Sequence, residues 1–285
     1  MTITTSRITF LLALALAVAG NLKAEKVCGN ESLKGTFGEI GWGAIPAPVI
    51  PTLGGPFVRV GQTVADGNGN VVSHTAASFN GIIYQVDSYS GTYTVNPDCT
   101  AIFHMQIPIP DAPPGFLLPT DLTGVLSDDG REVSNLVISP TGLSIRILFH
   151  KQNDRMEDQN QCSNQDLNGD FGLDMFGTVV SQPGNPPGTL SRVGKVTFDG
   201  NGSFHANWNV NYNGSPVTED MYGTYAIDAG CRIKMSYSLA GTSYTWFGGL
   251  SYQSGQSDGT TKSDGATVMV TDPPGAAVVG TLRRQ

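Results

Sequence analysis

Charge is scarce in this chain. Lysine, arginine, aspartate and glutamate make up 14% of its 285 residues, and the balance is acidic, with a formal net charge of −8. A surface so poor in lysine and arginine offers no field to hold a polyanion, so nucleic acid is not an expected partner. Cysteine and histidine number 4 each, and no two cysteines are spaced as CxxC. Zinc needs closely spaced ligand pairs, so neither a metal site nor any other cofactor is expected. The GxxxxGK[ST] phosphate loop is missing. So is any convincing 3.6-residue apolar repeat, which excludes a helical architecture.

Long apolar runs are also missing, except one. MTITTSR is followed by ITFLLALALAVAG and then NLKAEKV, the charged, apolar and polar order of a secretory signal peptide. The run falls short of the roughly 20 apolar residues a spanning helix requires. Residues 1–24 are therefore expected to be a signal peptide. Both Ala19 and Ala24 offer a small residue at the cut, with Ala24 preferred. A secreted or periplasmic product without a membrane span follows, and in an oxidising compartment four cysteines point to two disulfides.

What the chain does have is a repeated phrase. GTYTVNPDC, Gly91 to Cys99, returns as GTYAIDAGC, Gly223 to Cys231. Cys28 and ESLKGTFG answer to Cys162 and QDLNGDFG, and RVGQTVADGNGN at Arg59 answers to RVGKVTFDGNGS at Arg192, with partners 132 to 134 residues apart. A tandem duplication accounts for this spacing. Residues 25–151 and 162–285 form the two units, joined by a polar stretch at 152–161. A pairing that respects the duplication joins Cys28 to Cys99 and Cys162 to Cys231.

Within a unit the apolar period is two. In FHANWNVNY, Phe204, Ala206, Trp208, Val210 and Tyr212 share one face, and His205, Asn207, Asn209 and Asn211 the other. Eight such segments fall at about 35–44, 57–65, 70–79, 88–95, 100–107, 121–127, 131–138 and 143–150 of the first unit. Eight antiparallel strands joined in order remove their edges by closing into an up-and-down barrel. The expected fold is all-β, two tandem eight-stranded barrels with one disulfide each.

The strand count, together with Gly35-Thr36-Phe37 and Gly169-Asp170-Phe171 opening the first strand of each unit, resembles the lipocalin-like (calycin) barrels. Lipocalins carry Gly-x-Trp there, hold one barrel per chain, and place an Arg from the last strand over the base. Here Phe stands for Trp, and Arg146 points outward by phase. Size and topology are also loosely similar to the allene-oxide-cyclase-like barrels. The resemblance implies a lumen that takes a small apolar or amphipathic molecule.

Duplication supplies an internal reference for that lumen. Where the second unit places Leu173, Val196, Phe198, Phe204, Ala206 and Trp208 inward, the first places Glu39, Thr63, Ala65, Val71, Ser73 and Thr75. The first lumen should be roomier and more polar, since a small barrel is filled by side chains unless a ligand fills it. Its expected ligand contacts are Glu39, Arg59, Thr63, Ser73, Thr75, Tyr89, Tyr93, Phe103 and Met105. Apolar, proline-rich loops carrying Ile50, Leu53, Ile82, Phe116, Leu117 and Leu118 mark the mouth, with Ile82, Phe116 and Leu117 as further contacts. Arg59 is expected near this mouth, facing Glu39, while Arg192 has Leu173 where that carboxylate would be. Two other readings share these residues. In one, a cyclase or isomerase uses Glu39 and Tyr93 in the same lumen; in the other, the apolar loops dock a protein partner. His74, His104, His150 and His205 fall on the outward phase, away from the lumen.

Overall fold

The computed structural model describes residues 27–46, 53–109, 112–127, 130–152, 162–182, 187–251 and 263–285, with residues 86 and 87 described by backbone alone. The signal-peptide segment 1–24, Ile50 and all but Gln152 of the connecting stretch lie outside these residues.

Two closed eight-stranded antiparallel barrels, each a simple meander, make up the fold. The first runs through β1 (Lys34–Ile45), β2 (Gly55–Asp66), β3 (Asn70–Phe79), β4 (Ile82–Val95), β5 (Thr100–Ile107), β6 (Leu118–Ser127), β7 (Glu132–Ser139) and β8 (Ser144–Lys151), and β1 pairs with β8 to close it. The second runs through β9 (Asn168–Val179), β10 (Gly188–Asp199), β11 (Ser203–Tyr212), β12 (Ser215–Ile227), β13 (Arg232–Leu239), β14 (Thr242–Ser251), β15 (Gly265–Asp272) and β16 (Ala276–Arg284), closed by β16 on β9. Alternate residues point inward as the two-residue period requires. The first fourth strand, β4, is longer than its sequence pattern suggests: it begins at Ile82, and a bulge opposite Ser73 and Thr75 absorbs the irregular stretch before Tyr89.

The repeated phrase seals one end of each barrel. A short 3₁₀ turn crosses that end before the first strand, Asn30–Leu33 in one unit and Asn164–Asp166 in the other. Tyr93 donates its hydroxyl to the Leu33 carbonyl at 3.1 Å and accepts from the Gly67 amide at 2.9 Å. Tyr225 repeats the latch on the Leu167 and Asn164 carbonyls. The side-chain oxygens of Asn30 and Asn164 accept the amides of Val95 and Ile227. The disulfides Cys28–Cys99 and Cys162–Cys231 pin the same turns, with Cα atoms 5.0 Å apart in each. Each closes a loop of about 70 residues, worth about 4 kcal/mol in the chain-entropy account. Bonds of this kind persist outside a reducing cytoplasm, which suggests a non-cytoplasmic environment for the folded chain. No helix among the described residues is long and apolar enough to cross a membrane.

The barrels pack side by side through their outer faces. Ile40, Val58, Val60 and Ala76 from β1 to β3 meet Met269, Ala277 and Val279 from β15 and β16 in a dry cluster, and Trp42 sets its edge on Phe176, ring centres 5.7 Å apart. At the margin the Gly275 amide donates to the Gly81 carbonyl at 2.7 Å, and Ser78 donates to the Ala276 carbonyl at 2.7 Å. Gly81 has φ +85°, and a Cβ there would strike the Gly275 backbone, so both the turn and the close approach require glycine. Gln152 belongs to this contact as well as to the connecting stretch: it is buried, accepts from Gln62 at 2.8 Å and donates to the Leu250 carbonyl.

Candidate functional site

The first barrel has free space at the end opposite the disulfide. Strand ends of β1 to β8 supply a wall of aliphatic and aromatic side chains, among them Ile45, Phe57, Ala77, Phe79, Tyr84, Ile107, Leu122, Val137 and Ile145. They enclose a cavity of about 50 Å³, against the roughly 10–15 Å³ that one water needs. Pro108, Ile109, Leu118 and Leu143 form its rim, so the mouth lies at the proline-rich end, as the loop pattern suggests. A smaller void of about 10 Å³ continues below, bounded by Ser73, Phe103, Met105 and Phe149. Arg59 and Tyr89 line both spaces and separate them. Arg59 therefore sits at mid-lumen rather than at the mouth.

Arg59 is the centre of a buried polar network. Its Nε donates to Glu39 Oε1 at 2.7 Å, and its Nη2 lies 2.5 Å from the same oxygen. Nη2 also donates to the Tyr89 hydroxyl. The other Glu39 oxygen accepts from Thr63 at 2.7 Å, and Thr63 bonds Ser73 at 2.7 Å. Glu39 is 0% exposed. Burial works against the guanidinium charge, but Glu39 and Tyr89 outweigh it and hold the Arg59 pKa above its ordinary value. Burial also pushes the Tyr89 hydroxyl up to about 12, with the Arg59 charge opposing. Gly41 makes the arrangement fit: it stands opposite Arg59 on β1, and a Cβ there would lie 2.8 Å from Arg59 Cγ.

The second barrel answers the same problem differently. Arg192 does have a carboxylate partner, contrary to the expectation from Leu173: its Nη2 lies 3.3 Å from Glu219 Oε2. Met175 occupies the place of Gly41 and faces Arg192 across the β9–β10 ladder, so the arginine turns toward β11 and β12. There Glu219 also accepts from Trp208 at 2.7 Å and from Tyr212 at 2.9 Å. Trp208 and Trp246 stack at 5.4 Å, Tyr237 and Tyr244 at 5.1 Å, and the Arg192 guanidinium lies over both indoles. Matched through the repeat and the strand registers, these four aromatics stand where the first barrel has Thr75, Leu122, Met105 and Thr120. The cavity is the space they leave.

Of the expected contacts, Arg59, Thr75 and Tyr89 line the main cavity, and Ser73, Phe103 and Met105 the void below it. Glu39 and Thr63 lie behind Arg59 in the network. Tyr93 is inward but belongs to the sealed end, where its hydroxyl is committed to the latch. Ile82, Phe116 and Leu117 stay 42, 47 and 44% exposed and are not among the cavity-lining residues, whereas Leu53 is buried in the barrel core. His104 and His205 pair with Asp121 and Asp220 on the outer surface. The DGNG turns are hairpins whose carboxylates are spent on backbone amides: Asp66 accepts from Asn68 and Asn70, and Asp199 from Asn201 and Ser203. Gly255-Gln256-Ser257-Asp258-Gly259 spells GxSxG outside the described residues.

No protein-family model and no curated protein matches the chain. Among solved structures, a protein of unknown function of the DUF3598 family from Nostoc punctiforme is 12% identical over 93% of this chain and 100% of that one, with a TM-score of 0.25.

Proposed function

We propose that the first barrel binds a small apolar or amphipathic molecule in its lumen, that the second barrel is its structural partner, and that the protein works after export, as a secreted or periplasmic product. The observation that carries the reading is the contrast between equivalent positions: Trp208, Tyr237, Tyr244 and Trp246 fill one lumen, while Thr75, Met105, Thr120 and Leu122 leave the other open. The make-up of the cavity, apolar walls over a few polar groups, is that of a small-molecule site, and its open volume of about 50 Å³ takes the end of such a molecule, with the remainder in the mouth. The lipocalin-like strand plan favours the same use. Proton transfer by Glu39 has less support, because both of its oxygens are engaged by Arg59 and Thr63. The exposed Phe116 and Leu117 favour, as a second reading, a docked protein partner at the rim.

Thr75→Trp places in the first lumen the residue that the second already holds at Trp208. It should abolish binding of the neutral fluorescent probe N-phenyl-1-naphthylamine while leaving the β-sheet circular dichroism unchanged. Undiminished probe binding by a folded Thr75→Trp protein would rule out the lumen as the site.

A further inference from the structure

We infer that the first lumen selects neutral amphiphiles seated polar end inward, and that Glu39 sets this selection by cancelling the charge of Arg59. The inference rests on the lumen reading above and adds to it the class of ligand.

The floor of the cavity presents Arg59, Tyr89 and Thr75 to whatever enters, under walls that are otherwise almost wholly apolar. A cation at the bottom of an apolar pocket would ordinarily suit a fatty acid, headgroup first. Here the charge is already met. Glu39 lies wholly buried behind the guanidinium, touching Nε at 2.7 Å and Nη2 at 2.5 Å, and Thr63 holds its second oxygen in place. Among the described residues the cavity lining contains no charge besides Arg59. A carboxylate arriving at this floor would be a second anion next to Glu39, stripped of water and without a cation of its own, an arrangement that low-dielectric surroundings make costly. A hydroxyl or carbonyl meets no such obstacle, and it exchanges a hydrogen bond with water for one with Tyr89, Thr75 or Arg59 at little net cost. The second barrel obeys the same rule of neutrality: Glu219 cancels Arg192, although there aromatic rings occupy the ligand's place.

The test compares two chains of equal length, 1-octanol and octanoate, as displacers of N-phenyl-1-naphthylamine from the signal-peptide-free protein at pH 8, where octanoate is ionised. The unaltered protein should respond to octanol at a concentration at least tenfold lower than to octanoate. Glu39→Gln keeps the shape and an acceptor for Arg59 Nε but removes the negative charge, and it should shift the preference at least tenfold toward octanoate. An unaltered protein that prefers octanoate overturns the inference, as does a folded Glu39→Gln protein with an unchanged ratio. If Glu39→Gln does not fold, the preference of the unaltered protein decides alone. Thr75→Trp separates the two levels: loss of probe binding keeps the lumen reading whatever ratio the two chains show on the unaltered protein, while undiminished probe binding, or an unaltered protein that binds no probe, ends both.

Discussion

Gly41 stands directly across the β1–β2 ladder from Arg59, and the arginine stem lies over it on the way to Glu39. A side chain at 41 and this ion pair are therefore alternatives. Gly41→Ala should push Arg59 off Glu39 and lower stability by about 1–3 kcal/mol, the usual cost of overfilling a packed interior. A lowered midpoint in urea unfolding checks it, and a midpoint equal to that of the unaltered protein contradicts the account.

Removing one member of the pair should cost more than removing both. Glu39→Leu leaves a guanidinium buried without its counterion, and Arg59→Met leaves a carboxylate in the same state. Each should lose about 3–5 kcal/mol, whereas the double substitution should recover most of it. The second barrel holds Leu173 at the Glu39 position only because Glu219 supplies the charge from β12. A double-mutant cycle with additive losses would show that the two residues do not act as a unit.

Alkaline pH should unfold the protein earlier than its surface tyrosines alone would require. Burial pushes the Tyr89 and Tyr237 hydroxyls up to about 12, above the value of about 10 in an unfolded chain. A raised native value means that the folded state keeps protons the unfolded chain sheds. The stabilisation is thus complete below about pH 10 and is lost as pH climbs toward 12 and past it, each unit being worth about 1.4 kcal/mol per residue. Unfolding midpoints taken from pH 9 to pH 11.5 should fall steadily, and Tyr89→Phe should flatten part of that fall. A Tyr89→Phe protein with the same slope would place the linkage elsewhere.

At the contact between barrels, Ala76→Asn copies what the second unit carries at Asn209. The strand itself tolerates asparagine there, since β11 folds with it, but at Ala76 the amide would be buried against Met269 and Val279 without a designed partner. A loss of about 1–3 kcal/mol is expected, with faster proteolytic separation of the units. Cleavage at the original rate would show that the cluster around Ala76 does not hold them together.

The strand plan and the disulfide pairing were legible because duplication wrote both twice, and a period of two leaves little freedom about which side chains face inward. The lumen contrast was legible at Thr75 and Trp208 for the same reason. Three other aromatic replacements, at Tyr237, Tyr244 and Trp246, escaped notice because the repeats lose visible similarity after Cys231, and only the strand registers align them with Met105, Thr120 and Leu122. Glu219 was hidden by the β4 bulge, which shifts the count just where its counterpart would be sought: Trp208 faces Glu219, but Thr75 faces Val86. Tyr93 looked like a lumen residue because phase tells inward from outward and says nothing about depth.

The barrels meet through largely unlike faces, β1 to β3 of one against β14 to β16 of the other, with the Trp42–Phe176 contact joining equivalent positions at the margin. Such a head-to-tail joint has no symmetry to close it, and a chain of like units could in principle go on adding members. Both free ends are blunted against that. Where the first barrel offers Ile40, Val58 and Ala76, the second shows Asp174, Ser191 and Asn209 to solvent; where the second offers Val279, the first shows Arg146. The two copies differ as the two end members of a short array do, and the polar residues on their free faces belong to the same divergence between the copies as the open lumen of the first.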